Sequence, residues 1–561
     1  MLMKLYRVNQ HFYVERWQDW MRKPLTGYAK RSVVTEDKDG KRKRDLKRVA
    51  EPCYVQSTID SSALFLAGLL DEFSQAASEQ GYEIGVVDGR DPNPNNIVPN
   101  MELTDVSFRH KQKSVLEKIV NSDKGIIECS VGYGKSFLLS QLCRMYGTAK
   151  IVICTASKVV VEQTYKSLAA SLGANQVGLL RGGTPSSEDD KRVVVATCRS
   201  LSRADLENCD FLFFDEVHNV GFNDVFRQLV ERCGGCRMFG FTASLTRGDG
   251  ALTAIKALFG KVLEKVSYQE AADHAMVTPI KAFMPKFETK RFNRITGVQH
   301  VDERINYWQN HDRNRFFAKA SLDVPENEQL VITVKTLEHA IFLKHHQPEL
   351  ANFEIIHSGS VGGGTKNYTA FTPENVPTEP VAIQDKNTKE KFVAVIDTQN
   401  VGMFLLASSK NVENATQNDT KNVKMITFVQ AMIEYEYPNG EPFAHVEIRP
   451  DMVGGVDTSI YKMTAKQVAE KVAKLTSGEL KRVIATTSIK EGGNFHHIAY
   501  IFRADGSTSG VINTQFPGRA SRLAENKPVS ILLDPFDVSN DWVKFRSQQR
   551  YKWYKTHGWI E

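Results

Sequence analysis

The sequence predicts an α/β protein with two parallel-sheet domains, a small α+β domain before them and a β-rich insertion in the second. Three observations support this fold class. The chain has 561 residues, more than a single hydrophobic core serves, so several domains are expected. Short apolar runs alternate with helical patterns from residue 102 to about 285, which is typical of a parallel sheet covered by helices. A similar alternation starts again at 329–335 and returns after residue 480.

Composition and charge are those of an ordinary globular protein, with 41% hydrophobic and 25% charged residues. No stretch approaches the roughly 20 apolar residues that a membrane span requires. The first ten residues lack the pattern of a secretory signal. Eight cysteines are too few for a disulfide scaffold in so long a chain. We therefore expect a cytoplasmic protein (in the bacterial host cytoplasm if a phage encodes it), without a membrane partner.

Residues 1–100 are predicted to form the small α+β domain. The region begins with strand-like alternation, and residues 62–80 read as an amphipathic helix that stops at Gly81 before a short strand. Residues 1–53 hold fourteen Lys and Arg against seven Asp and Glu, and half of the basic residues lie in Lys38–Arg48. Such a run suits contact with nucleic-acid phosphates, and a solvated loop explains it equally well.

The remaining chain is divided by its patterns into two α/β domains. The first covers residues 101–285. The second covers 286–359 and 456–561, and an insertion at 360–455 interrupts its alternation with a segment rich in Thr, Asn, Pro and Gly. Strand-like pieces inside that segment predict a β-rich insertion. Cys233 and Cys236 have the spacing of half a zinc site, but the favoured interpretation is a glycine turn between a helix and a strand.

A candidate phosphate-binding loop lies at Cys129–Ser136, between an apolar strand and a helical pattern. Gly132 and Gly134 would let backbone N–H groups approach phosphates, and the start of the helix favours negative charge. In this arrangement Lys135 is expected to reach the β- and γ-phosphates of ATP, and Ser136 to bind Mg²⁺.

Two adjacent carboxylates end a second apolar strand at Phe211–His218. We expect Asp215 to hold the Mg²⁺ ion and Glu216 to activate the attacking water. Near the C-terminus, Gln515–Arg522 contains Arg519 and Arg522, three residues apart, which predicts one face of a helix. From a second domain, these arginines could reach the γ-phosphate as arginine fingers.

This ordered set of motifs resembles that of the superfamily 2 helicases. The resemblance implies two RecA-like domains that face each other across an ATP cleft, and an ATP hydrolase coupled to nucleic-acid unwinding. Arg109–Gln112 resembles the adenine-reading motif, Thr242–Ser244 the motif that couples ATP to nucleic acid, and Ala485–Asn494 a motif that touches both. The residues thereby implied in nucleotide binding are Arg109, Gln112, Gly132, Gly134, Lys135, Ser136 and Gly492. Those implied in nucleic-acid contact or coupling are Thr155, Thr197, His218, Thr242, Ser244 and Thr486.

Within that superfamily, three segments resemble the UvsW-type phage helicases, which remodel branched DNA. They are residues 64–88, 453–467 and the tail at 542–560. The resemblance implies DNA that is branched or forked as the partner, in replication, recombination or repair. The shared motifs leave open an RNA helicase, the motor subunit of a DNA-packaging or restriction complex, and a DNA clamp without turnover. They do not determine the oligomeric state.

Overall fold

A computed structural model describes most of the chain. The described residues are 2–36, 42–88, 97–103, 105–155, 158–245, 251–289, 295, 297, 299–357, 381–386, 388–396, 403–408, 423–427, 435–436, 438–440, 452–453, 456–457, 461, 463–486, 495–508, 516–524 and 527–560. Among these residues, no helix is both long and apolar enough to cross a membrane.

The strands are numbered in chain order. They are β1 Leu2–Val8, β2 His11–Val14, β3 Thr26–Glu36, β4 Arg42–Pro52, β5 Tyr54–Gln56, β6 Ala63–Leu66, β7 Glu83–Val87, β8 Lys124–Cys129, β9 Ile151–Thr155, β10 Val177–Leu180, β11 Val193–Thr197, β12 Phe211–Asp215, β13 Arg237–Thr242, β14 Val262–Val266, β15 Ile280–Phe283, β16 Lys286–Phe287, β17 Gln329–Val334, β18 Glu354–Ile356, β19 Val381–Asp385, β20 Lys391–Ile396, β21 Met403–Ser408, β22 Val423–Thr427, β23 Tyr435–Glu436, β24 Met452–Val453, β25 Val456–Asp457, β26 Arg482–Thr486, β27 Ile498–Arg503, β28 Ser530–Leu533 and β29 Phe536–Asp537.

The helices follow the same convention. They are α1 Leu70–Glu79, α2 Gln112–Val120, α3 Lys135–Met145, α4 Lys158–Leu172, α5 Asp224–Arg232, α6 Leu252–Phe259, α7 Tyr268–Asp273, α8 Gln299–Glu303, α9 His311–Leu322, α10 Leu337–His345, α11 Ala465–Thr476 and α12 Asp541–Thr556. Side chains that cap the first turn stabilise the starts of several helices. Asn223 accepts from a backbone N–H at the start of α5, Thr336 does so for α10, and Thr464 forms a capping box with Gln467 at α11.

Two parallel sheets dominate the fold. The first has the order β10-β11-β9-β12-β13-β8-β14, and the second has the order β15-β28-β27-β17-β26-β18. The central strands β9, β11 and β12 are buried along their whole length, as expected for strands covered by helices on both faces. The prediction of two α/β domains of the RecA-like class with additional smaller units is confirmed.

The boundary predicted at residue 285 differs from the observed sheets. Strand β15 pairs with β28 in the second sheet, although the prediction assigned its residues to the first domain. The local sequence cannot reveal this, because a strand of either sheet has the same apolar pattern. The chain crosses between the sheets near Thr278, whose backbone N–H donates to Ser521 O at 2.6 Å.

The N-terminal unit is a five-stranded sheet with the order β5-β6-β2-β1-β7, packed on α1. Residues 62–80 are not one helix as predicted, because β6 precedes α1. Ala63–Leu66 pairs with both β2 and β5, so sheet pairing decides the conformation of this apolar stretch over its helical pattern. The predicted stop is present at Gly81, which has a left-handed φ of 80°.

Strands β3 and β4 form a separate two-stranded antiparallel ribbon, the basic ribbon, with eleven residues in each strand. Most of the predicted basic run, Lys38–Arg48, lies in β4. At the base of the ribbon, Arg48 pairs with Lys30 in the register and its guanidinium lies 4.0 Å from the centre of the Tyr28 ring. Residues 38–41 of the basic run lie outside the described residues, and the rest of the run, residues 42–48, lies on a strand of the ribbon and not on an irregular loop.

The described strands of the predicted insertion form an antiparallel sheet with the order β22-β21-β20-β19-β23. Ile383, Ala394, Leu406 and Tyr435 are buried there. This sheet confirms that the insertion is β-rich.

The last helix is tied to the second sheet by buried charges. Arg550 on α12 donates from Nε to Asp534 Oδ2 at 2.7 Å, and Tyr554 donates its hydroxyl to the same oxygen at 2.8 Å. All three side chains are fully buried, and the arginine charge offsets that of the carboxylate. Helix α12 is therefore fixed to the end of β28.

Beyond α12, the chain also contacts the first α/β domain. The Trp559 ring packs edge-on against Tyr268 of α7, with ring centroids 5.4 Å apart, while its carbonyl accepts from Ala282 N of β15 at 2.8 Å. Gly558 approaches α7 so closely that a Cβ there would lie 2.5 Å from Gln269 Oε1. Residues 541–560, which we term the C-terminal clasp, thus contact both domains.

Candidate nucleotide site

The predicted phosphate loop runs from the end of β8 into the start of α3. Gly132 and Gly134 have left-handed φ angles of 88° and 106°, which favour glycine. A Cβ at Gly132 would lie 2.7 Å from Val277 Cγ1, and one at Gly134 would lie 2.8 Å from Gln112 Nε2. The Ser130 hydroxyl in this loop is buried and has no hydrogen-bond partner within the described residues. The loop thus offers backbone amides and a spare hydroxyl to an anion at the helix start.

The predicted adenine-reading residues lie directly beside this loop. Gln112 accepts through Oε1 from Arg109 N at 2.9 Å and donates through Nε2 to Tyr133 O at 3.0 Å. The Tyr133 hydroxyl in turn donates to His110 O at 2.8 Å. Gln112 therefore links its own motif to the phosphate loop, so that a movement of either one changes its hydrogen bonds.

Asp215 and Glu216 stand at the carboxyl end of β12. Asp215 pairs in register with Thr155 of β9 and Phe241 of β13, so it occupies the middle of the sheet edge. Glu216 has a left-handed φ of 57°, and its N–H donates to Asp215 Oδ1 at 3.1 Å. Glu216 Oε1 lies 3.5 Å from Lys135 Nζ, which brings the two predicted motifs together.

Electrostatics separate the roles of the two acids. Burial, together with the negative charge of Glu216, raises the pKa of Asp215 to about 6. Burial also opposes ionisation of Glu216, but Lys135 and His218 outweigh it and lower its pKa to about 2. Burial disfavours the charged form of Lys135, and the nearby Glu216 carboxylate more than compensates, so its pKa is raised. At neutral pH the site holds a charged lysine opposite an ionised glutamate.

A chain of polar contacts leads from Glu216 to the predicted coupling motif. His218 Nδ1 lies 3.2 Å from Glu216 Oε2 and 3.1 Å from Thr242 Oγ1. The Thr242 hydroxyl donates to Ser244 O at 2.9 Å. His218 and Thr242 are both buried, so these contacts form away from bulk water. The structure therefore brings together three residues that the sequence resemblance implied in coupling.

The predicted arginine motif packs on the phosphate loop from the second sheet. A Cβ at Gly518 would lie 2.7 Å from Val131 Cβ, so glycine is needed for this approach. Arg519 follows Gly518 directly and lies in the same cleft. Its positive charge acts to lower the pKa values of Lys135, Asp215 and Glu216.

Arg522 lies beside Arg519, although the two do not share a helix as predicted. The described helical residues are 516–520, and Arg522 follows them. Burial and the neighbouring charge of Arg519 lower the pKa of Arg522 to about 10. Its Nε is buried, and within the described part of the chain that atom has no hydrogen-bond partner. Arg522 therefore has an N–H group available for an anion.

The threonines predicted to contact nucleic acid all end strands. Thr155 and Thr197 are register partners on β9 and β11, and Thr486 ends β26 of the second sheet. Thr197 caps a short helix by accepting from Ser200 N at 3.2 Å. All three side chains are less than 9% exposed, so the backbone at these strand ends is better placed than the hydroxyls to contact a ligand. Gly492 lies outside the described residues.

Sequence reasoning did not identify Thr278 as part of this cleft. Its hydroxyl donates to Arg522 O at 3.2 Å, and its carbonyl accepts from Tyr268 Oη at 2.5 Å. Thr278 thereby links α7 of the first domain to the arginine motif. These partners are 244 residues apart in the chain, and no local pattern marks such a contact.

A comparison with protein families finds a match within the first α/β domain. Residues 105–247 match the family model described as "Type III restriction enzyme, res subunit". No curated protein matches the sequence. The matched segment contains the phosphate loop, both carboxylates and the coupling motif.

Three solved structures are similar to this chain. UvsW of T4 is 13% identical, with 99% of this chain and 98% of that chain covered and a TM-score of 0.39. The Type ISP restriction-modification enzyme LlaBIII is 13% identical, with 85% and 32% covered and a TM-score of 0.47. A fragment of a putative HsdR subunit from Vibrio vulnificus YJ016 is 12% identical, with 92% and 90% covered and a TM-score of 0.47.

The family match confirms the resemblance to the superfamily 2 helicases for the segment in which the nucleotide motifs lie. The composite cleft agrees with that match, because groups from both sheets converge on the phosphate loop. The prediction of an ATP-dependent enzyme of this class is confirmed, and use of ATP follows from the class.

Proposed function

We propose that this chain is an ATP-driven DNA helicase or translocase that remodels branched DNA. The observation that carries the proposal is the composite cleft, in which Gly518 of the second domain packs on Val131 of the phosphate loop and brings the adjacent Arg519 close to Lys135. Not every ATPase places a second domain at its catalytic site. A motor does, because nucleotide-dependent closure between the domains is its working stroke.

In this proposal the phosphate loop and Lys135 bind the phosphates of ATP. Ser136 at the start of α3 and Asp215 at the end of β12 would hold Mg²⁺, since both offer the hard oxygen ligands that this ion prefers. The ion, when bound, would neutralise phosphate charge during the reaction. Glu216 accepts a proton from the water that attacks the γ-phosphorus. Arg519 and Arg522 stabilise the charge that develops on the transferred phosphoryl group.

Coupling to DNA would use the polar chain from Glu216 through His218 and Thr242 to Ser244. Glu216 contacts the reacting water, so loss of the γ-phosphate changes its charge environment and the hydrogen bond of His218. Ser244 follows β13 at the carboxyl edge of the sheet, where Thr155 and Thr197 also lie. Each catalytic cycle would then move the strand ends, and the nucleic-acid backbone bound to them, by one step.

Branched DNA as the substrate is supported by the sequence resemblance to the UvsW-type helicases and by the basic ribbon outside the motor. This function would operate in replication, recombination or repair, in a bacterial cytoplasm if the chain is phage-encoded. An RNA helicase shares the same motor, and the match to a restriction-enzyme family favours a restriction motor as the second candidate. A restriction motor would be stimulated by unbranched duplex as strongly as by branched DNA.

The test is hydrolysis of ATP by the full chain, measured alone and then with single-stranded DNA, linear duplex, forked DNA, four-way junctions and RNA. We expect the greatest stimulation with forked or four-way DNA. Equal stimulation by linear duplex would favour the restriction motor, and stimulation by RNA alone would favour an RNA helicase. Absence of hydrolysis with every substrate would contradict a motor function.

Shortening the basic ribbon is expected to weaken binding to forked DNA and to spare basal ATP hydrolysis. Lys30 and Arg48 are partners in the register, so residues 31–47 can be replaced by an Asn-Gly turn without disturbing the five-stranded sheet. This change removes basic residues that can neutralise phosphates, so the salt dependence of binding should become less steep. Fluorescence anisotropy with labelled forks over a salt series measures it. Unchanged affinity and slope would exclude the ribbon from DNA contact.

A further inference from the structure

Three buried cysteines meet at the edge of the first sheet opposite the nucleotide site. Cys209 precedes β12, Cys233 follows α5 and Cys236 precedes β13. Their sulfur atoms all lie within 4.8 Å of one another, and their residues are 5%, 0% and 4% exposed. All three are free thiols. The predicted glycine turn is present at residues 234–235 and connects Cys233 to Cys236. Cys209 adds a third sulfur atom to this pair.

We propose that Cys209, Cys233 and Cys236 bind a zinc ion. A zinc–thiolate bond of about 2.3 Å in tetrahedral geometry places ligand sulfurs roughly 3.8 Å apart, which the observed spacing accommodates with small side-chain adjustments. Cys233 and Cys236 have the two-residue separation that structural zinc sites use repeatedly. Cys209 Sγ also lies 3.4 Å from the carbonyl oxygen of Leu206.

The three sulfurs lie in a buried position away from bulk water. A bound dication would hold all three as thiolates, because thiols lose their protons on coordination. Apolar residues of the same core, including Leu229 and Leu212, exclude water from the cluster.

Zinc bound here would stabilise the contact between the first α/β domain and the N-terminal unit. Gln10, between β1 and β2, donates from Nε2 to Cys236 O at 3.0 Å and accepts from Lys124 Nζ at 2.5 Å. Gly234 in the turn lies against Asn9, with 3.8 Å between a Cβ built there and Asn9 Nδ2. The ion would therefore fix a turn that the N-terminal unit contacts directly, at a distance from the ATP chemistry.

The experiment measures metal content of the reduced full chain, purified from zinc-supplemented cells, by inductively coupled plasma mass spectrometry. We expect about one zinc ion per chain after gel filtration, since structural zinc sites bind tightly. Cobalt added to chelator-treated protein should give the thiolate charge-transfer and tetrahedral ligand-field bands. In the variants Cys209→Ser and Cys236→Ser, the affinity for zinc should fall by more than about 100-fold. Loss of a residue that only hydrogen bonds to a ligand usually lowers metal affinity by no more than about that factor.

Cys143→Ser is the matched control, because Cys143 is equally buried but lies on α3 in the other core of this domain. It should retain zinc and the cobalt bands. The wild-type spectra decide the question even if a cluster variant does not fold. A reduced wild-type chain that binds no zinc and gives no thiolate bands with cobalt would overturn the proposal, as would a Cys233–Cys236 disulfide found without metal in protein purified under reducing conditions.

Discussion

Replacing Glu216 with glutamine is expected to reduce kcat for ATP hydrolysis by about 10²–10⁴-fold, the range associated with loss of a general base. The substitution keeps the shape of the side chain and removes its ability to accept a proton. Glu216 is also the carboxylate opposite Lys135 Nζ at 3.5 Å, but ATP phosphates can replace that partner in the bound state. Binding of ATP should therefore persist, with a Kd within a few fold of the wild type.

Single-turnover hydrolysis and binding of a fluorescent ATP analogue separate these two quantities. Glu117→Gln, on the exposed face of α2, is the matched control and should leave both unchanged. If Glu216→Gln hydrolysed ATP at the wild-type rate, another group would have to activate the water. A large increase in Kd with unchanged kcat would instead assign Glu216 to binding.

Arg519→Ala and Arg522→Ala are each expected to lower kcat by about 10³–10⁵-fold, the range known for arginine fingers. Both arginines belong to the motif that packs on the phosphate loop, and Arg522 has a buried N–H without a partner among the described residues. Their charges repel one another, and this repulsion is relieved only when an anion lies between them. Loss of either arginine should thus affect the transition state more than the binding of ATP.

Steady-state hydrolysis at saturating ATP and DNA measures this effect, and Arg519→Lys tests geometry against charge. Lysine retains the charge but not the planar fork, so it should restore only part of the activity. Lys544→Ala, exposed on α12 of the same domain, provides the control. Wild-type kcat in Arg519→Ala would show that the second domain does not complete the catalytic site.

Features within one continuous segment could be predicted from the sequence. The phosphate loop, with Gly132, Gly134 and Lys135, occupies one strand–turn–helix unit, so its composition already fixes its geometry. Asp215 and Glu216 could be assigned because an apolar strand precedes them directly. The alternation of apolar runs and helical patterns likewise predicted both parallel sheets.

Features that depend on the order of strands could not be predicted. Cys209 meets Cys233 and Cys236 because β12 and β13 are neighbours in the sheet, and the sequence does not contain that order. The contact of His218 with Thr242 depends on the same pairing. Residues 62–80 were predicted as a helix because their apolar periodicity fits one, whereas the partners of Ala63–Leu66 lie elsewhere in the chain.

The C-terminal clasp limits how the two domains can move. Trp559 contacts both α7 of the first domain and β15 of the second. It follows α12, which the bond between Arg550 and Asp534 fixes to the second sheet. Opening of the ATP cleft would then be a rotation about this attachment and not a separation of the halves. The arginines stay tethered near the phosphate loop at high effective concentration, so that reclosing after product release is an intramolecular step. A motor with such an attachment can remain bound to its nucleic acid between successive turnovers.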